Sequence, residues 1–373
     1  MATNSSPAIL LHASGQSRFG VAHFFFRRIA GAGLYFSAMN VSLPGTAWKK
    51  IYSGRAFLIH RLLPALLAAG LLYELATQAP GEAFLYAIAP FSGGSWWLLS
   101  GALALMPLNW WVEVCKWRSL IMRTEAMSLP RAGQAVMAGV AVSLFTPNRV
   151  GEYGGRVLFV QPENRWFAAG ATVLGNFAQV LVLVSGGTAG LLWLSHRLDW
   201  PGTAWLDHAV LPAYCGLILL WLAYLNLPRA RVRLRQYRIV KRLKRLVKVD
   251  TQHWPEVSRS DLAWQAAWAT GRYLVYSLQY FLLLRCFGVS PGFFDGFAGI
   301  SLLFLLQTGL PLPPLSGLLA RGNLAVALWG QFGASAAASL SATFGLWIIN
   351  LILPAFFGTF FLFYVRKAKD SSV

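Results

Sequence analysis

Long apolar runs recur along this chain, and basic clusters fill some of the gaps between them while leaving others empty. Runs at about 56–75, 95–114, 166–194, 209–227, 262–287 and 342–365 approach or exceed the ~20 residues that a helix needs to cross a ~30 Å hydrocarbon core. Of the 373 residues, 56% are hydrophobic and only 12% charged, with a mean hydropathy of +0.52. That balance predicts an all-α, polytopic helical membrane protein and argues against a soluble globule. The formal net charge of +19 sits largely in the gaps, so it reports topology and anionic lipid surfaces rather than nucleic acid.

Charge in the gaps sets the orientation. Basic residues flank the first run (Lys49, Lys50, Arg55, Arg61) and follow the second (Lys116, Arg118, Arg123), while residues 77–94 carry none. By the positive-inside rule the N-terminus and the 116–131 loop are cytoplasmic. Residues 228–260 hold eleven Arg and Lys against Asp250 and Glu256, so this loop must be cytoplasmic too. That works only if the intervening segment 132–161 does not cross. Its apolar part, 132–145, would reach ~21 Å as a helix, which is short of the core. It reads as a re-entrant helical hairpin, a shape tolerated where protein or a wet cavity surrounds it.

A second broken stretch, 293–335, is interrupted by Pro311, Pro313 and Pro314, and Arg366, Lys367 and Lys369 close the last run. A cytoplasmic C-terminus requires this stretch to re-enter as well, from the opposite face. The expected plan is six spans and two re-entrant hairpins in an inverted-topology repeat, a transporter layout. Residues 1–54 are expected as a cytoplasmic extension, surface-lying or disordered, with no signal peptide. A membrane domain follows at 55–368, with repeat one at about 55–195 and repeat two at about 205–368. The basic loop falls inside the second repeat and can lie on the membrane as an amphipathic helix.

The chemistry concentrates at the first break. Thr146 before Pro147 reads as a helix N-cap followed by the first helical position. Asn148 follows, and Arg149, Glu152 and Arg156 recur at spacings of three and four, on one helical face. Gly151, Gly154 and Gly155 let another helix or a headgroup approach closely. A helix start inside a membrane, with two arginines beside it, suits an anionic guest. The competing reading is a structural ion cluster, in which the arginines neutralise Glu152 and the glycines serve packing.

These residues carry a family resemblance. The stretch from Thr146 to Glu152, with Gly155 and Arg156, resembles the first motif of the lysylphosphatidylglycerol synthase transmembrane-region family, the flippase-like domain of multiple peptide resistance factors. Trp117-Arg118-Ser119-Leu120 is similar to that family's Arg- and Trp-rich helix end. Residues 311–322 sit where the family has a second motif ending Arg-Glu. Here Arg321 is followed by Gly322, and the paired glycines are absent.

The resemblance covers roughly 55–368. It implies a bacterial or archaeal inner-membrane protein that moves an anionic phospholipid or a polyprenyl-phosphate-linked lipid between leaflets. The aminoacyl-transferase domain of the resistance factors is not expected, nor is lysine transfer.

Other residues extend the candidate site. Glu113 either pairs with Arg118 near the interface or leans into a cavity, and Asn109 lies one turn before it. Arg272 is deep in its run with no local partner. Arg321 follows the second break. Three cysteines (Cys115, Cys215, Cys286) have no metal-ligand spacing, and the six histidines are scattered. With no nucleophile elbow, phosphate loop or paired-carboxylate motif, no catalytic residue, metal or cofactor is expected. A lipid-binding accessory subunit of a glycosyltransferase or lipid synthase would share these features, as would a membrane transferase with a site assembled from distant residues. Expected partners are membrane lipids, and beyond them a second copy of the chain or a partner synthase; nucleic acid is not expected.

Overall fold

The computed structural model describes residues 95–144, 150–198, 204–229, 255–308 and 314–370, and their regular structure is helical, with no strand among them. The helices are α1 (Trp96–Ile121), α2 (Leu129–Ser143), α3 (Gly151–Val157), α4 (Arg165–Ser195) and α5 (Ala204–Leu225). They continue with α6 (Arg259–Cys286), α7 (Phe293–Thr308), α8 (Pro314–Gly330), α9 (Ala336–Trp347) and α10 (Leu353–Asp370). A 3-10 turn, Pro162–Asn164, leads into α4, and a π-helical turn, Ile348–Ile352, joins α9 to α10. The stretches Trp96–Ile121, Pro162–Ser195 and Ala336–Leu362 are each long and apolar enough to cross a membrane. The chain is a helical membrane protein. The first apolar run, the extension 1–54, the two breaks at 145–149 and 309–313, and most of the basic loop lie outside the described residues.

Local chemistry fixes the helix ends. Ser128 caps α2 by accepting from Arg131 N at 3.4 Å, with Pro130 in the first turn, and Ser335 caps α9 from Ala338 N at 3.2 Å. Ser258 and Asp261 form a reciprocal capping box at the start of α6. Gly288, with φ of +82°, lies two residues beyond the last residue of α6 in the left-handed conformation that ends a helix.

The two longest-range pairings organise the bundle. Along α1 and α6, Gln279 meets Ala102, Arg272 meets Asn109, and Gln265 meets Lys116. Seven residues forward in one helix are matched by seven back in the other, so the pair is antiparallel in heptad register. Elsewhere, glycines set the crossings. Gly187 and Gly190 on α4 lie against Leu305 and Ala298 of α7, and Gly358 on α10 lies against the Met137 carbonyl of α2. In each case a Cβ would collide, so only glycine allows that approach. The packing pairs also map onto one another when α1 is exchanged with α6, α2 with α7, α3 with α8, and α4 with α9–α10. The α4–α7 contact then answers α10–α2, α1–α2 answers α6–α7, α3–α4 answers α8–α9, and α1–α4 answers α6–α9.

Among the described residues three buried apolar clusters result, two larger ones and a smallest that joins Ala178, Leu181 and Val182 of α4 to Tyr224 of α5 and to Leu262 and Ala269 of α6. Of the larger two, one gathers Trp110, Trp117, Leu120, the buried face of α2 and the start of α4; the other gathers Ala102, Tyr280, Leu283, the buried face of α7, and Trp329. Asn109 lies on α1 between Ala102 of one cluster and Trp110 of the other.

At the boundary end of α6, Arg123 Nη2 stands 2.5 Å from Asp261 Oδ1, while Asp261 Oδ2 accepts from the Ser258 backbone at 2.8 Å. Burial pushes the Asp261 carboxyl up, but the bonds from Ser258 and Arg123 outweigh it and hold the group below its usual range. A carboxyl depressed in the folded state stabilises above its unfolded value of ~3.9, and that contribution is lost as pH falls through the folded value. Arg123 is half exposed, which limits the ion pair to under ~1 kcal/mol. Asp261→Asn should therefore cost about 1 kcal/mol at neutral pH, cap included. Thermal melts of detergent-solubilised protein should show the gap between variant and parent closing below about pH 4.

Candidate functional site

Five charged side chains from three helices meet inside the bundle. On α1, Glu113 is fully buried and Lys116 is one turn on; α3 supplies Glu152 and Arg156; α6 supplies Arg272, midway along its length. Glu113 is the hub. Its Oε1 accepts from Arg156 Nη2 at 2.8 Å, and its Oε2 lies 2.7 Å from Arg272 Nη1 and 2.5 Å from Lys116 Nζ. Arg156 Nη2 also reaches Glu152 Oε1, one helical turn back on α3. Two tryptophans floor the cluster: the Arg156 guanidinium lies 5.7 Å from the Trp117 ring centre and that of Arg272 lies 5.1 Å from Trp110. Trp117 is fixed in turn by donating to Thr172 Oγ1 on α4 at 3.0 Å.

The sequence folds α3 into place through two glycines. A Cβ on Gly155 would sit 2.5 Å from Gly139 Cα and 2.7 Å from Ala138 O, so α3 rides directly on the α2 backbone. This contact carries the neighbouring Arg156 inward to Glu113. Burying five charges is costly unless each is paired, and here pairing is dense. Among the described residues, three cations stand against two carboxylates, a surplus of one positive charge. Around the cluster, Arg156 Nε, Trp110 Nε1 and Gln265 Oε1 are buried with no hydrogen-bond partner among the described residues. The arrangement can hold an anion, and two of those orphaned atoms are donors.

The polar row continues as a ladder of amides. Arg272 Nε donates to Asn109 Oδ1 at 3.2 Å, Asn109 Nδ2 to Asn350 Oδ1 at 2.7 Å, and Asn350 Nδ2 to Gln279 Oε1 at 2.7 Å. Gln279 Nε2 ends the ladder on Ala102 O at 2.7 Å. Asn350 sits in the π-helical turn, where the extra residue per turn aims its side chain at α1 and α6. Asn350→Leu would strand an Asn109 donor and a Gln279 acceptor, at a cost of about 1–3 kcal/mol each. Thermal unfolding in detergent should register that loss.

The structure gathers some of the expected residues and separates others. Glu113, Glu152, Arg156 and Arg272 converge, with Gly155 at the close approach, Gly151 buried and Gly154 half-buried on α3. Glu113 is not an interfacial partner of Arg118, whose Nε donates instead to Met127 O at 2.7 Å at the end of α1. Arg321 is half-buried on α8, and its neighbour Gly322 packs against Leu340 and Phe344 of α9. Pro314 opens α8. Thr146, Pro147, Asn148, Arg149 and Pro313 lie outside the described residues.

Sequence reasoning missed Lys116, which reads as an ordinary basic flank after an apolar run, and it missed Gln279 and Asn350. The recurrence of polar residues at 109, 113 and 116, three and four apart on α1, was the available signal. Among the described residues no group of three or more His, Cys, Asp and Glu is placed to hold a metal ion.

A family profile described as "Lysylphosphatidylglycerol synthase TM region" matches residues 61–358, a stretch that contains the whole cluster. No curated protein matches the chain.

Proposed function

The chain belongs to the lysylphosphatidylglycerol synthase TM region family, and from that premise we propose that it is a lipid transporter rather than an enzyme. It would carry the headgroup of an anionic or isoprenoid-linked lipid between the leaflets of the inner membrane, with the acyl chains left in lipid. The observation that carries this reading is the surplus positive charge buried at Arg156, Arg272, Lys116, Glu113 and Glu152, with unsatisfied donors beside it. Ionisable groups at membrane depth are costly, and they mark substrate and ion routes. In this reading Arg156 and Arg272 hold the phosphate, and Arg149, Asn148 and Arg321 mark the route towards it.

The proposed topology has α2–α3 and α7–α8 entering from opposite faces, and both termini cytoplasmic. The correspondence of packing pairs between the two halves supports it, as does the antiparallel α1–α6 pair. Broken helices paired this way about a central site belong to alternating-access designs.

Leaflet exchange of headgroup-labelled lipids, in liposomes holding the purified protein, tests the proposal. Anionic, zwitterionic and aminoacylated headgroups should exchange at different rates, and Arg149→Ala should slow the preferred one at least tenfold while its melting curve stays near that of the parent. Absence of exchange for every lipid, from folded protein and under an ion gradient, would put the accessory-subunit reading ahead.

A further inference from the structure

Glu113 holds the position that an anionic guest would need. Its two oxygens take one hydrogen bond or ion pair from each of Arg156, Lys116 and Arg272, which arrive from α3, α1 and α6. A phosphate monoanion likewise offers two unesterified oxygens, and the same three cations suit it better than a carboxylate because guanidinium recognises phosphate bidentately. With Arg272 Nε on Asn109 and Nη1 on Glu113, a bidentate grip of Arg272 on phosphate has to release one of the two.

We propose that Glu113 is an internal substitute for the lipid phosphate, and that a headgroup displaces it in exchange for one proton. This rests on the transport reading and adds its energy coupling: lipid–proton symport. In the step, the contacts from Arg156 Nη2, Arg272 Nη1 and Lys116 Nζ to Glu113 break and re-form on the phosphate oxygens. Glu113, now buried at 0% exposure without those cations, gains one proton from water at the accessible face and becomes a neutral acid. One O–H bond forms on the Glu113 carboxyl as one O–H bond of a hydronium ion breaks and leaves water, and no other covalent bond changes. Three cations then face one carboxylate and one phosphate, so the site keeps its surplus of one positive charge.

Among the described residues, the charged groups that pair with Glu113 come from three helices. Lys116 faces it from α1, Arg156 with Glu152 behind it from α3, and Arg272 from α6. From α4 and the π-helical turn, the neutral Thr172 and Asn350 contact the cluster's neighbours Trp117 and Asn109. Glu152 keeps its contact to Arg156 and so stays paired, which singles out Glu113 as the proton acceptor.

A carrier that moves a singly negative lipid with one proton is electroneutral. The test uses acyl-chain-labelled phosphatidylglycerol in phosphatidylcholine vesicles containing the full chain, with either a pH difference or a potassium diffusion potential imposed. The expected result is accumulation in the leaflet facing the alkaline side, approaching tenfold per pH unit, with no response to the potential. In Glu113→Gln, exchange should no longer follow the pH difference.

Redistribution driven by the potential and indifferent to pH would overturn the symport proposal and leave the transport reading intact. Because Glu113→Gln leaves three buried cations short of a counter-charge and can fail to fold, a second readout uses the unaltered protein. Adding short-chain phosphatidylglycerol should raise an infrared band of a protonated carboxyl group, whether or not exchange is seen. A missing band would overturn the displacement of Glu113. A band without any exchange would support the displacement and overturn transport instead.

Discussion

Arg156→Met should be among the most destabilising single substitutions within the described residues, at about 3–5 kcal/mol. Arg156 is the side chain that touches both carboxylates of the cluster, and it is almost completely buried. Removing it breaks the buried bridge between Glu113 and Glu152, while Lys116 and Arg272 stay on Glu113. A buried charge stripped of its partner is what makes such a loss large. Lysine at this position keeps the charge but cannot fork between two carboxylates from a planar group, so Arg156→Lys should recover only part of the loss.

Melting curves in detergent are the readout. An Arg156→Met protein that melts with the parent would mean that water reaches the cluster freely, and it would remove the basis for a desolvated site.

The second large effect belongs to a residue with no side chain. Gly155→Val should separate α3 from α2, because the new Cβ would meet the Gly139 Cα at 2.5 Å, the Gly139 N at 2.7 Å and the Ala138 O at 2.7 Å. All three are backbone atoms, so no rotamer change can relieve the contact. Overpacking of this kind costs about 1–3 kcal/mol or more, and the shift would also draw Arg156 away from Glu113. Gly133→Ala, on the same α2, is the matched control: nothing lies within 4 Å of the added carbon, and helix propensity favours alanine by about 1 kcal/mol. Opposite signs in the two melting shifts would confirm that the α2–α3 crossing, and not glycine content, is responsible.

Most helices can be read directly from the chain. The broken stretch 293–335 opens with α7 at its first residue, and the runs at 166–194 and 262–287 become α4 and α6 within three residues at either end. Apolar length and capping residues act locally, which is why they leave a linear trace. The first motif likewise gave Glu152 and Arg156 one turn apart on a single face, and so they stand on α3.

What had no trace is convergence. Glu113 sits near Arg118 in sequence, yet its partners come from positions 116, 156 and 272, because α1 packs against three other helices at that level. Lys116 looks like a boundary lysine until α6 and Gly175 of α4 are laid over its stem. Asn350 owes its reach to a π-helical turn that no residue pattern around it announces. Arg272, alone in an apolar run, was the exception: a lone charge at such depth needs a partner, and only the fold could say which.

The glycine at position 358 bears on how the protein is made. It seats α10 on the Met137 carbonyl of α2, while Gly187 and Gly190 of α4 seat α7. Each half of the molecule therefore supplies the clasp for the other half's short helix. During synthesis, α2 leaves the ribosome long before α10 exists, an interval on the order of ten to forty seconds at ordinary elongation rates. Throughout that wait the Met137 face of α2 has no cover from α10. The N-terminal half must be kept open by lipid or by the insertion machinery, and assembly is completed only when the last helix arrives.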